Sequence, residues 1–112
     1  MQQIFDAPIL KLPQAGIPIP GCQAYLSQSE THQIIFMEFK EDTILQEHSH
    51  ADQIGIVLEG KIDLVINGVM KTFQKGDRYY IPEGIKHSGK IYAGYADITF
   101  FDQKDRYAPK IN

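Results

Sequence analysis

The chain has one cysteine, no block of like charge and no long apolar run. With Cys22 alone, no internal disulfide can form, which agrees with a reducing compartment. No apolar stretch approaches the ~20 residues that a membrane-spanning helix needs, and the N-terminus carries no signal-peptide pattern. A cytoplasmic chain with no membrane partner is expected. Against 14 Asp and Glu stand 11 Lys and Arg, for a net charge of −3 without any basic run, so no nucleic-acid partner is expected. The chain also lacks the Gly-x-Ser-x-Gly elbow of a serine nucleophile and any Gly-x-Gly-x-x-Gly or Walker pattern that would cradle phosphate. No repeat, low-complexity tract or long amphipathic helix is visible.

What is present is one domain's worth of sequence: 112 residues, 43% hydrophobic and 22% charged. Residues 1–20 read as an extended arm, because Pro8, Pro13, Pro18 and Pro20 fix φ and remove backbone donors that a stable helix needs. Interleaved Ile4, Phe5, Ile9, Leu10, Leu12, Ile17 and Ile19 are too apolar for a free tail, so the arm is expected to lie on the domain or on a partner subunit. Residues 21–112 form the domain, a succession of short strands. Residues 33–40 are rich in β-branched and aromatic side chains, with Ile35, Met37 and Phe39 sharing a face. Residues 54–60 and 61–67 follow as strands hinged near Gly60. Asn67-Gly68 marks a hairpin, since both positions tolerate positive φ. Residues 69–74, 79–81 and 90–101 complete the strands, and residues 102–112 read as a polar tail. Short strands punctuated by Gly, Pro, Asn and Asp predict an all-β sandwich or small barrel.

The chemistry concentrates between His48 and His87. His48 and His50 stand two apart, so an extended backbone presents both imidazoles to one face. Imidazole suits Zn, Cu, Fe or Ni, and a carboxamide oxygen such as that of Gln53 adds a harder ligand. A His-x-His pair can also be no more than a surface pair. His32, standing alone before a strand, is read as a turn residue.

His48, His50 and Gly60 fit the first of the two motifs of the cupin superfamily, and Gly76, Pro82, Gly84 and His87 fit the second. The resemblance covers residues 42–91. It implies a double-stranded β-helix (jelly-roll) barrel with one divalent transition metal (Zn, Ni, Fe, Mn or Cu) held by His48, His50, Gln53 and His87. The chain departs from the pattern with Asp42 for the first glycine, Ile91 for the final asparagine, a ligand loop one residue short, and Gln53 where the family has glutamate. A neutral ligand set leaves the ion its full charge, which favours an anionic ligand. On that reasoning Gln53→Glu is expected to tighten the ion and weaken the anion. The string Asp52-Gln53-Ile54-Gly55-Ile56-Val57 further resembles small cupins of uronate degradation, which open unsaturated sugar-acid rings.

The pocket is expected at the barrel mouth, with His87 across from His48, His50 and Gln53. Gly55 is expected to leave space beside the metal, and Val57 to continue as apolar wall. Candidate proton carriers are Asp97 and Tyr80, with Tyr92 and Tyr95 as further tyrosines. Three functions compete: Lewis-acid catalysis on a small oxygen-rich anion such as a keto or sugar acid, a metal-dependent dioxygenase, and a non-catalytic small-ligand module. Finally, Ile54, Ile56 and Leu58 should face outward, and Ile62, Leu64 and Ile66 are read as extending that apolar patch. A homodimer would cover it, with Ile9 and Leu12 of the arm assisting.

Overall fold

The computed structural model describes residues 3–110; the first two positions of the arm and the last two of the tail lie outside the described residues. After one helical turn, α1 (Ala7–Leu10), come β1 (Cys22–Gln28), β2 (Gln33–Phe39), β3 (Thr43–His48), β4 (Gln53–Glu59), β5 (Lys61–Ile66), β6 (Val69–Gln74), β7 (Arg78–Ile81), β8 (His87–Ile91) and β9 (Ala96–Phe101). They form a five-stranded sheet, β1-β2-β9-β4-β7, and a four-stranded sheet, β3-β8-β5-β6, with every pairing antiparallel. This is the jelly roll that the resemblance implies. Among the described residues no helix is long and apolar enough to cross a membrane.

Strand alternation decides what fills the space between the sheets. On β2, Gln33, Ile35, Met37 and Phe39 are buried while their neighbours are only half-covered. On β4 the same period buries Gln53, Gly55 and Val57 and turns Ile54 and Ile56 outward. The hairpin at Asn67 (φ 51°) and Gly68 (φ 79°) joins β5 to β6 as the sequence suggests.

Three expectations need correction. The single strand read over residues 90–101 is two strands in different sheets, because the chain turns at Gly94 (φ 92°). Gly60 (φ 71°) likewise carries the chain from β4 in one sheet to β5 in the other, which resets the parity. Ile62 and Leu64 are consequently core residues, Ile66 packs against the core, and none of the three adds to an outer patch. The arm also contains one turn of helix despite its prolines, because Pro8 sits in the first turn, where no backbone donor is required.

The arm and the tail are both tied down. Ala15 N donates to Ala24 O (2.9 Å), Leu26 N to Pro13 O (2.7 Å) and Gly16 N to Ala108 O (2.8 Å). Gln33, fully buried, clamps the tail with both ends of its carboxamide: Nε2 donates to Tyr107 O (2.8 Å) and Tyr107 N donates to Oε1 (3.0 Å). The supposed polar tail is thus folded back onto the barrel end.

The outer face of the five-stranded sheet is apolar. Ile34, Phe100, Ile54 and Tyr80 stand in one cross-strand row, and Phe36, Ile98, Ile56 and Arg78 in the next. Phe5 covers the Phe36 end, with ring centroids 5.8 Å apart, while Ile54, Ile56 and Tyr80 remain 39%, 46% and 52% exposed.

Candidate metal centre

His48 ends β3, His87 begins β8, and the two are cross-strand partners in the four-stranded sheet, where a register shift after Leu45 re-aims the end of β3. His50 lies in the connection that leads to the other sheet, where Gln53 begins β4. The expected division was different: His87 lies beside His48, and Gln53 is the residue that reaches in from the facing sheet. The three rings lie 4.2 to 5.3 Å apart between centroids, and one ligand nitrogen from each lies within 4.8 Å of the others.

Each imidazole is oriented by its own backbone. Nδ1 of His48 donates to Gln46 O (2.7 Å), that of His50 to Ala51 O (2.7 Å) and that of His87 to Ile85 O (3.0 Å). With Nδ1 carrying the proton, Nε2 keeps its lone pair, which is the arrangement a metal-binding imidazole uses. Burial pushes the His50 imidazole down to about 4 and lowers that of His87, so both are neutral at neutral pH. A nitrogen triad oriented in this way fits a divalent transition metal.

These residues line a cavity of about 310 Å³ between the sheets, together with Gln53, Tyr79, Tyr95, Asp97 and Arg106. Asp97, 2% exposed, receives hydrogen bonds from Tyr79 Oη (2.9 Å), Tyr95 Oη (2.6 Å) and Thr99 Oγ1 (3.0 Å). Burial pushes its carboxyl up to about 6 despite those three donors. Burial also raises Tyr79 and Tyr95, which stay protonated.

The matching cupin-domain model spans residues 35–94, more than half of the chain and all four proposed ligands. The chain belongs to the cupin family. No curated protein matches it. Among solved structures, it is similar to KdgF from Halomonas sp. (20% identity, TM-score 0.69, covering 81% of this chain and 87% of that one). An RmlC-like cupin from Shewanella frigidimarina NCIMB 400 superposes with a TM-score of 0.73 at 18% identity, over 95% of this chain and 94% of that one. Bacillus subtilis oxalate decarboxylase, described for its Mn(II) centres, matches with a TM-score of 0.65 at 22% identity, over 76% of this chain and 26% of that one. At these identities the likeness concerns the fold.

Within this cupin, several side chains stand elsewhere than expected. Tyr80 points to the outer sheet face, its hydroxyl donating to Asp52 Oδ1 (3.2 Å), because alternation on β7 gives the inward place to Tyr79. Tyr92 is also outside the cavity and donates to Asp63 Oδ2 (2.6 Å). Gly55 leaves no space for a ligand: the Tyr79 ring occupies the volume that a Cβ would need. Val57 is buried in the core rather than lining the cavity. His32 sits in its turn and stacks on Phe100 (5.0 Å).

Arg106 is the residue that sequence reasoning missed. It comes from the tail, lines both the cavity and the outer depression beside His48 and His50, and lies over the rings of Tyr107 (4.5 Å) and Phe101 (5.7 Å). Its Nε is buried without a hydrogen-bond partner among the described residues. The only sequence signal was modest: it is one of two arginines in the chain and is followed by an aromatic residue.

Proposed function

We propose that this cupin binds one divalent transition metal through His48, His50, Gln53 and His87 and acts on a small oxygen-rich carboxylate anion. The observation that carries the reading is the convergence of three histidine nitrogens, the Arg106 guanidinium and the Asp97 carboxyl on one cavity of about 310 Å³. That volume lies at the small end of ligand pockets. When bound, the ion supplies Lewis-acid polarisation of a substrate oxygen. Arg106 has an unpaired buried Nε and a planar fork suited to a carboxylate, so it orients the anion. Apolar side chains such as Ile17, Ile19, Leu64 and Ile81 exclude water from the reacting groups. Asp97, raised to about 6 and therefore ionised at rest near neutral pH, is placed to take up a proton from the substrate, with Tyr79 and Tyr95 as its hydroxyl contacts.

A keto acid or sugar acid fits this combination, and the resemblance of residues 52–57 to uronate-degradation cupins makes unsaturated uronates the first substrates to test. The test is elemental analysis of the native protein, followed by a screen of keto and sugar acids. Turnover of an acid with a metal that does not change valence supports the reading. Oxygen consumption with bound Fe or Cu would replace it with a dioxygenase, and saturable binding without turnover with a ligand-binding module. We also propose that the apolar outer face of the five-stranded sheet is covered by a second copy of the chain.

A further inference from the structure

Gln53 replaces the glutamate of the family pattern, and the proton count around it gives a reason. Tyr79 Oη has one proton. It lies 2.9 Å from Asp97 Oδ2, 3.2 Å from Gln53 Nε2 and 3.4 Å from Thr99 Oγ1. Thr99 spends its own proton on Asp97 Oδ1 (3.0 Å), and Tyr95 donates to Asp97 Oδ2 (2.6 Å). A carboxylate surrounded by hydroxyls can only accept, so the Tyr79 proton is committed to Asp97. What Tyr79 offers to position 53 is then a lone pair, and the partner there must donate. An amide can; a carboxylate cannot. With Nε2 given to Tyr79, Oε1 is the amide atom left for the cavity, and the hydrogen-bond network fixes which way the carboxamide faces.

We propose that Asp97 is a positioning residue for the metal centre: through Tyr79 it locks the Gln53 carboxamide with Oε1 presented to the ion, and it thereby requires glutamine rather than glutamate at position 53. The negative charge that the family pattern places in the ligand set is held in this chain two hydrogen bonds further in, on Asp97 behind Tyr79. The inference rests on the metal reading above. It also reverses the expectation drawn from charge alone, that Gln53→Glu tightens the ion. A glutamate would set two acceptors 3.2 Å apart in a buried site while Asp97 keeps the tyrosine proton.

Replacing Asp97 should release the constraint. An asparagine amide can donate to Tyr79, whose proton is then free to turn toward position 53. In the metal-free protein, Zn²⁺ affinity measured by competition with a chromophoric chelator should fall about tenfold for Gln53→Glu and about tenfold for Tyr79→Phe, as for other residues that orient metal ligands. The double variant Gln53→Glu/Asp97→Asn should recover at least the parent affinity. Tighter Zn²⁺ binding by Gln53→Glu with Asp97 intact, or a double variant no better than Gln53→Glu, overturns the proposal. A second readout needs no metal: the side-chain amide proton resonances of Gln53 should shift in both Tyr79→Phe and Asp97→Asn. Resonances unmoved by Asp97→Asn overturn the relay. Failure of the parent protein to bind Zn²⁺ or any other divalent ion strikes at the metal reading instead, and the amide resonances still decide the relay.

Discussion

His48 and His87 face each other across β3 and β8 with ring centroids 4.2 Å apart, so a backbone register holds two of the three imidazoles together before any ion arrives. Their Nδ1 protons are already spent on the carbonyls of Gln46 and Ile85. Such a site needs little reorganisation to take a metal, since tautomer and direction are set by the fold.

Loss of any one ring should therefore be felt at the metal rather than in the fold. His48→Ala, on the half-buried ring, is the cleanest variant, because His87 is 2% exposed and its removal also opens the interior. Metal content by elemental analysis should drop from one ion per chain to a small fraction, with the circular dichroism of the strands unchanged. Full metal content in the triple variant His48→Ala/His50→Ala/His87→Ala would sink the assignment.

Arg106 and the metal ligands should separate cleanly by phenotype. Arg106→Gln removes the charge facing an anion but no metal ligand, so metal content should stay constant. Binding of a substrate carboxylate should weaken about 10- to 100-fold, the range for a hydrogen bond to a charged group. Titration of metal-loaded protein with the best acid from the screen measures it, and an unchanged affinity removes Arg106 from the anion site.

Asp97 makes the metal-free fold sensitive to pH in a defined direction. Its carboxyl is raised from 3.8 to about 6 by burial, so between those values the folded chain binds the proton that the unfolded chain has released. Its contribution is most favourable below pH 3.8 and is lost as pH rises through about 6. The shift corresponds to a penalty of at most about 3 kcal/mol at neutral pH. Asp97→Asn lacks this term, while the opposing effect of the histidines is common to both proteins. Urea denaturation at pH 4 and pH 7 should therefore show the variant gaining on the parent with rising pH; a constant difference excludes a raised carboxyl.

How much of this could be read from the sequence depends on the range of the interaction involved. The clustering of the three histidines was legible because His48 and His50 lie within one short segment and His87 follows a Gly-x5-Pro-x-Gly approach. Parity on β4 was legible for the same local reason. It failed after Gly60, because a positive φ moves the chain to the other sheet and local alternation carries no information across that change. Tyr79 and Tyr80 illustrate the cost of a one-residue uncertainty on a four-residue strand: one is buried against Gln53 and Asp97 and the other faces outward. Arg106 was invisible because what brings it to the cavity is Gln33 clamping Tyr107, a contact across 74 positions.

Gly55 is the position where the reading of open space was reversed, and the reversal is testable. Because the Tyr79 ring fills the place of a Cβ, Gly55→Ala must displace that ring. Overpacking of this kind costs about 1–3 kcal/mol. It should also break the contact between Tyr79 and Gln53, so thermal stability and Zn²⁺ affinity should fall together. An alanine variant as stable as the parent would mean that the ring and the strand are not in contact.

The apolar outer face of the five-stranded sheet calls for a partner, and its charges favour a second copy. Phe5 covers only the β1–β2 end, which leaves Ile54, Ile56 and Tyr80 exposed together over β4 and β7. Around the same shallow depression stand Arg78 on one side and the carboxylates Asp52 and Asp102 on the other. A two-fold axis through the middle of such a face would lay the arginine of each copy toward the acidic side of its mate, with the isoleucines packed between. The β5 row contributes nothing, since Ile62 and Leu64 are in the core, so the interface is narrower than the sequence implied and centres on β4. Sedimentation should find a dimer at micromolar concentration. Ile56→Asp, which places a charge at the centre without touching the interior, should give a folded monomer that keeps its metal. A parent chain that is already monomeric at that concentration ends the proposal, and a dimer that survives both Ile56→Asp and Arg78→Glu would have to be built on another surface.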